Sequence, residues 1–245
     1  MTDEPRLRIL HVSDVHFGAK DDFGEQGRIT SALVRAVERH QLRPDVCIFS
    51  GDLAHSGERA QLERGQQWLQ ELVHACGAPD LFIVPGNHDV SRSAAKRTLL
   101  IRAGADHESF TDWRDAVASN LAHLNEFCEW HGQAASGLPL KSIWTSPLGF
   151  VRSDIKAGIR CRVIGMNSAL LSCRDGESGN LVCDIRTLNR YLQRSNADPE
   201  LIISIAHHPF SDLSEWNRRE IERLLSQETG AHLFMHGHLH EQLGV

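Results

Sequence analysis

The chain lacks an excess of positive charge. It carries 26 Lys and Arg against 32 Asp and Glu, a formal charge of −6 over 245 residues. No broad field gathers nucleic-acid phosphates, so any affinity for phosphate must come from a local feature, and bound cations would supply it. Long apolar runs are also missing, and none approaches the roughly 20 residues that cross a bilayer. Residues 1–8 are polar and charged and are not expected to be a signal peptide. The six cysteines, at 47, 76, 128, 161, 173 and 183, form no C-x-x-C pair. Scattered thiols fit a reducing compartment, with Cys47 a small core residue. Repeats of solenoid period and low-complexity segments are absent. The expectation is a soluble, cytoplasmic protein with no membrane partner.

What is present is ordinary in amount, 41% hydrophobic and 24% charged, and fits one large α/β domain over 1–245. Its arrangement is less ordinary. The apolar run 81–84 ends at Pro85-Gly86 and is followed by Asn87, His88 and Asp89. Pro lacks the N–H that a strand ladder needs, and Gly permits a sharp bend. The run 9–12 leads into Ser13-Asp14-Val15-His16, and 46–49 into Ser50-Gly51-Asp52. The run 201–206 ends at His207-His208-Pro209, and 232–235 at His236-Gly237-His238-Leu239-His240. The ends of strands are where open α/β sheets build sites. One polar strand end is a loop tip; five ending in carboxylate, amide or imidazole point to a shared centre.

In order, the periodicity predicts strands over 7–13, 45–50 and 80–84, separated by helices over 26–40 and 58–76. That β-α-β-α-β order implies a parallel sheet with right-handed crossovers. The rhythm then breaks at a helical insertion, about 94–147, with helices expected over 94–102 and, as one piece, 109–131. Placed directly after the 87–89 tip, the insertion is expected to fold over it as a lid. Strands follow over 150–155 and 161–166, joined by a turn at 157–158. A helix over 184–194 is expected with Asp184 as N-cap, then a strand over 201–206. A helix over 214–227 with Ser214 as N-cap and a last strand over 232–235 complete the order.

The tips offer Asp14, His16, Asp52, Asn87, His207, His238 and His240, a donor set suited to a pair of borderline or hard transition ions. If their segments are extended, Asp14 and His16 share a face, as do His238 and His240. The same alternation turns His208 and His236 away. His11, inside the first strand, reads as a satisfied core histidine.

The ordered blocks Asp14-x-His16, Gly51-Asp52, Gly86-Asn87-His88-Asp89, His207-x-Pro209 and Gly237-His238-x-His240 resemble the calcineurin-like metallophosphoesterase superfamily. The segments 9–14, 166–168 and 207–209 are most similar to its class III cyclic-nucleotide phosphodiesterase branch. Asp52 is followed by Leu53-Ala54-His55-Ser56-Gly57, without the arginine that phosphoprotein phosphatases carry there. The resemblance implies a four-layer α/β/β/α sandwich. It also implies two divalent or transition ions, of manganese, iron or zinc. Asp14, His16 and His240 hold the first, Asp52 bridges, and Asn87, His207 and His238 hold the second.

The resemblance implies hydrolysis of phosphodiester bonds in small-molecule or nucleotide substrates by a metal-activated water. His88 protonates the leaving oxygen or bonds the equatorial oxygens, and Asp89 orients it. Arg92, one turn on, reaches a phosphate, and His55 lines the pocket. A nuclease acting on DNA or RNA is the first alternative; the opening motif also resembles the DNA-repair exonuclease branch, and net acidity counts against it. A non-catalytic protein-binding scaffold is the second, and the complete ligand set counts against that. The chain stops five residues after His240, so a fragment of a longer polypeptide with further domains is expected.

Overall fold

The computed structural model describes residues 6–20, 24–115, 121–144, 146–193, 199 and 201–239. Strands β1 (Ile9–Val12), β2 (Val46–Phe49) and β3 (Asp80–Ile83) pair in parallel in the order β1-β2-β3. Helices α1 (Glu25–Arg39) and α2 (Arg59–Ala75) are the crossovers. A second sheet has the order β4-β5-β6-β7, from β4 (Gly149–Lys156), β5 (Ile159–Met166), β6 (Leu201–Ile205) and β7 (Leu233–Met235). β4 and β5 form an antiparallel hairpin, and the remaining pairs are parallel. The hairpin turns on Ala157 (φ 49°) and Gly158 (φ 82°), two left-handed residues of the kind a two-residue turn between twisted strands needs.

The layers follow from strand alternation. Cys47, Phe49, Leu81 and Ile83 face one way, into a core with Leu62, Leu69 and Leu72 of α2. Their neighbours Val46, Ile48, Phe82 and Val84 face the other way, against Phe150, Val163, Ile203 and Ile205 of the second sheet. Phe82 and Phe150 stack across that interface at 6.0 Å, a pair contributing about 0.5–1.5 kcal/mol beyond area burial. The outer face of the second sheet carries α6 (Ile185–Gln193) and α7 (Glu215–Leu225) through Leu188, Leu192, Ile221 and Leu224. The result is the four-layer α/β/β/α sandwich. Asp184 caps α6, its Oδ1 accepting the Thr187 N–H at 2.6 Å. Ser214 occupies the cap position of α7 but makes no side-chain cap bond.

The insertion departs from expectation twice. Instead of one helix over 109–131 there are α4 (His107–Asp115), a 3-10 turn (Ala122–Leu124) and α5 (Asn125–Ala134), with 116–120 outside the described residues. The apolar faces explain the break. Phe110, Trp113 and Leu124 join Leu100 of α3 (Arg97–Ala105) beneath Ala169, Leu170 and Leu171. Phe127 and Trp130 instead enter the α2 core; one straight helix cannot serve both cores. Nor do the described residues of the insertion form a lid. After α5 the chain runs beside β3, with Leu81 N–H donating to Pro139 O and Lys141 N–H to Leu81 O. Ser142 Oγ accepts the Ile83 N–H at 3.1 Å and meets His131 Nε2 at 3.1 Å. The segment after α5 is scaffold for the edge of the first sheet.

Candidate metal centre

The loops after β1 and β2 are zipped together. Asp14 N–H donates to Gly51 O at 3.0 Å, His16 N–H to Asp52 O at 3.0 Å and Phe17 N–H to Leu53 O at 2.8 Å. Asp14 (φ 59°), His16 (φ 55°), Asp52 (φ 60°) and His238 (φ 73°) all adopt left-handed backbone. For non-glycine residues this costs about 1–3 kcal/mol each and persists where surroundings over-determine it. It corrects the alternation argument: the segments are not extended, and the turns aim these side chains. Gly51 (φ 95°) and Gly86 let the loops close, since a Cβ on Gly86 would lie 2.1 Å from Asp52 Oδ1.

Asp52 lies at the middle, 1% exposed. Its Oδ1 accepts the His88 N–H at 2.8 Å. Its Oδ2 is buried without a hydrogen bond, with His207 Nε2 at 3.2 Å and His16 Nε2 at 3.7 Å. Burial works against the charge on Asp52, but His207 and His16 outweigh it and hold the carboxyl well below its usual range. His207 is fully buried, and its Nδ1–H donates to Ser50 O at 2.8 Å. In the neutral ring that bond aims the Nε2 lone pair inward. There it meets Asn87 Oδ1 at 3.1 Å and His238 Nδ1 at 3.3 Å. Acceptors that crowd together need a cation among them. Without a metal, a proton serves: against burial, Asp52 and then Asp14 push the His207 pKa up. The donor set and the orphaned Asp52 oxygen therefore fit a metal centre.

Three groups of potential ligand atoms lie within 4.8 Å of one another: Asp14, Asp52 and His207; His207, His208 and His238; His16, His55 and His88. His240 lies outside the described residues. Asp14 also receives the His238 N–H, at 3.0 Å to Oδ2 and 3.2 Å to Oδ1, which joins the first and last tips.

Asp89 is placed differently from expectation. Among the described residues its carboxylate makes no bond to the His88 ring. Instead it accepts the N–H groups of Asp52 (2.8 Å), Ala54 (2.8 Å) and Gly86 (2.9 Å), clamping two loops. Burial first, and the Asp52 charge second, push its pKa up, opposed by those N–H groups. His88 Nδ1 lies 2.7 Å from His55 O, and its ring stacks on that of His55 at 5.2 Å. The Nδ1–H donates to that carbonyl, leaving Nε2 to exchange a proton. Arg92 is ion-paired with Asp175 at 2.5 Å.

His208 is the residue the alternation argument misplaced. The chain bends at His207-His208-Pro209 into a 3-10 turn (Phe210–Asp212), so both rings turn inward. His208 Nε2 lies 3.1 Å from Asn87 Oδ1, and Nδ1 lies 2.8 Å from Ser168 Oγ. Asp212 went unrecognised, with no motif to mark it; its Oδ2 lies 3.4 Å from His238 Nε2. His11 is the satisfied strand histidine expected, 2.7 Å from Ser50 Oγ. A cavity of about 230 Å³ opens between Asn87, His88, His208 and His238 on one wall and the loop after Cys173 on the other. No helix among the described residues is long and apolar enough to cross a membrane.

Comparison with known proteins agrees with this geometry. The family described as calcineurin-like phosphoesterase matches residues 7–242. The chain is 25% identical to the uncharacterized metallophosphoesterase-like protein YydB of Bacillus subtilis, over 96% of this chain and 49% of that protein. It is 33% identical over 107 residues to the cAMP/cGMP dual specificity phosphodiesterase MT0825 of Mycobacterium tuberculosis, 40% of this chain and 32% of that one. The chain thus spans half or less of these relatives' length. Purple acid phosphatase PPD1 from yellow lupin shares the fold, with a TM-score of 0.53 and 13% identity over 96% of this chain and 38% of that one.

Proposed function

The chain belongs to the calcineurin-like phosphoesterase family, and from that membership we propose that it hydrolyses phosphodiester bonds of nucleotide-type substrates at a pair of metal ions. Membership makes the domain a metal-dependent phosphoesterase, a hydrolase. The choice of a diester rests on the resemblance of the strand-end blocks to the cyclic-nucleotide branch and on the similarity to a protein named as a cAMP/cGMP phosphodiesterase. The observation that carries the metal reading is the buried, unbonded Asp52 Oδ2 facing His207 and His16.

Asp14, His16 and His240 would hold one ion, Asn87, His207 and His238 the other, with Asp52 between them. Two ions of manganese, iron or zinc would supply Lewis acidity and a water acidic enough to attack phosphorus near neutral pH. The protein's own part is positioning and proton transfer. Ser50 O fixes the His207 ring, His208 and Ser168 brace Asn87, and Asp89 fixes the backbone of Asp52. His88, held at Nδ1 by His55 O and lining the cavity, would use Nε2 to protonate the leaving oxygen.

The test is Mn²⁺-loaded protein assayed on cyclic nucleotides, bis(p-nitrophenyl) phosphate, p-nitrophenyl phosphate and single-stranded DNA. Cleavage of the first two, abolished by chelator, is expected. Hydrolysis of the monoester alone refutes the diester assignment. Cleavage of DNA alone makes the domain a nuclease. Two bound ions with no turnover leave a scaffold.

A further inference from the structure

The loop 173–179 forms the wall of the cavity opposite the histidines, and its backbone is fixed. The buried Glu177 carboxylate accepts the N–H groups of Cys173 and Arg174. Ser178 Oγ donates to Asp212 Oδ1 at 2.8 Å and Gly179 N–H to Asp212 O at 2.9 Å. Asp175 is tied to Arg92. A loop pinned at so many points holds its remaining side chains at set positions.

One of those side chains is Arg174. It is exposed, lines the cavity, and its guanidinium takes no hydrogen bond or ion pair from the described residues. Arg92, another arginine on this side, is answered by Asp175. The loop therefore presents an exposed guanidinium in the cavity that Asn87, His88 and His238 also line. Resting on the phosphodiesterase reading above, the scissile phosphoryl group belongs on the histidine wall. What faces Arg174 is then the group attached to phosphorus. A guanidinium fork matches a phosphate or carboxylate edge. The cavity, about 230 Å³, is smaller than the roughly 300–1,000 Å³ that bury a whole drug-sized ligand. Only a group adjoining the scissile phosphoryl fits inside it.

We propose that Arg174 is a specificity residue that binds a second anionic group next to the scissile phosphate, so that the site favours phosphodiesters in which one arm is itself a phosphate. The substrate class is the pyrophosphate-linked nucleotide diester, with the single-phosphate diester the poorer ligand.

The experiment measures calorimetric affinities of the Mn²⁺-loaded protein for AMP and ADP, in wild type and in R174Q. The side chain is exposed, so the substitution leaves the fold in place. Wild type is expected to bind ADP more tightly than AMP, and R174Q to weaken ADP by about 10–100-fold, the value of a charged hydrogen-bonded contact, with AMP changed far less. R174K restores the charge without the fork and is expected between the two. Equal weakening of both nucleotides places Arg174 on the scissile phosphate and overturns the proposal, as does no weakening of either. Wild-type turnover of bis(p-nitrophenyl) phosphate, run alongside, separates the two failures. Its loss refutes the phosphodiesterase reading, whereas its presence with equal AMP and ADP effects refutes only the role of Arg174.

Discussion

Replacing Asp89 by Asn tests whether this carboxylate is a loop clamp or a partner of His88. Asp89 is 1% exposed and accepts three backbone N–H groups. Oδ2 takes two of them, from Asp52 and Gly86, and Oδ1 takes the third, from Ala54. An Asn that keeps its oxygen at the Oδ2 position turns its NH₂ toward the Ala54 N–H. One charge-assisted bond is lost, about 1.5–3 kcal/mol, and a buried donor is left unpaired, about 1–3 kcal/mol. The sum, roughly 2.5–6 kcal/mol, is a large part of the 5–15 kcal/mol that holds a typical domain. Urea unfolding of the metal-free protein at pH 8 is the assay, with elemental analysis of the Mn²⁺-loaded protein beside it. The expected result is a lower midpoint at unchanged slope and weakened metal retention, because Asp52 hangs from the same clamp. A variant within 0.5 kcal/mol of wild type, with both ions bound and only its rate reduced, refutes the clamp and returns Asp89 to orienting His88.

Asp52→Ala removes the proposed bridge and is expected to release at least one ion and abolish turnover; retention of both ions at near-normal rate, by elemental analysis and assay, dismisses the bridge. His88→Ala is expected to keep both ions and lose about 10²–10⁴-fold in rate. That loss should shrink for a p-nitrophenolate leaving group and stay large for a nucleoside alkoxide, and equal losses point to phosphoryl-oxygen binding instead. His131 is buried, and burial lowers its pKa from 6.5 to about 4. A depressed histidine adds stability above pH 6.5 that is lost as pH falls toward 4, so His131→Gln is expected to flatten that part of the profile by roughly 3 kcal/mol. Identical pH profiles for the two proteins remove His131 from the acid response.

The elements were legible where one periodicity served one core. The helices over 26–40 and 58–76 and the strands between them lie within a residue or two of α1, α2, β1, β2 and β3. The stretch 109–131 misled because its aromatic residues keep helical spacing while feeding two separate cores, a tertiary fact that spacing does not encode. Most donors at the strand ends were legible from residue type, and the structure brings Asp14, His16, Asp52, Asn87, His207 and His238 to one place. Their aim was not legible. Period-two reasoning assumes extended backbone, and the left-handed φ values at Asp14, His16 and His238 remove that assumption. His208 was lost to the same argument, and Asp212 carries no local signal, since only the turn after Pro209 brings it beside His238. The expectation that Arg92 reaches a phosphate misses its ion-pair partner Asp175, 83 residues away and beyond any local pattern.

The bond from His238 N–H to Asp14 joins residues separated by 224 positions. On the ribosome, β1, α1, β2, α2 and β3 emerge in sequence and have local partners at once. The centre does not, because His238 follows β7, the last strand of the second sheet along the chain. Closing so long a loop is slow and comes late in folding. A nascent chain would thus expose Asp14, His16 and Asp52 as an open half-site, with weak grip on any ion. Tight metal loading then reports that synthesis has passed residue 238 and that both sheets have docked.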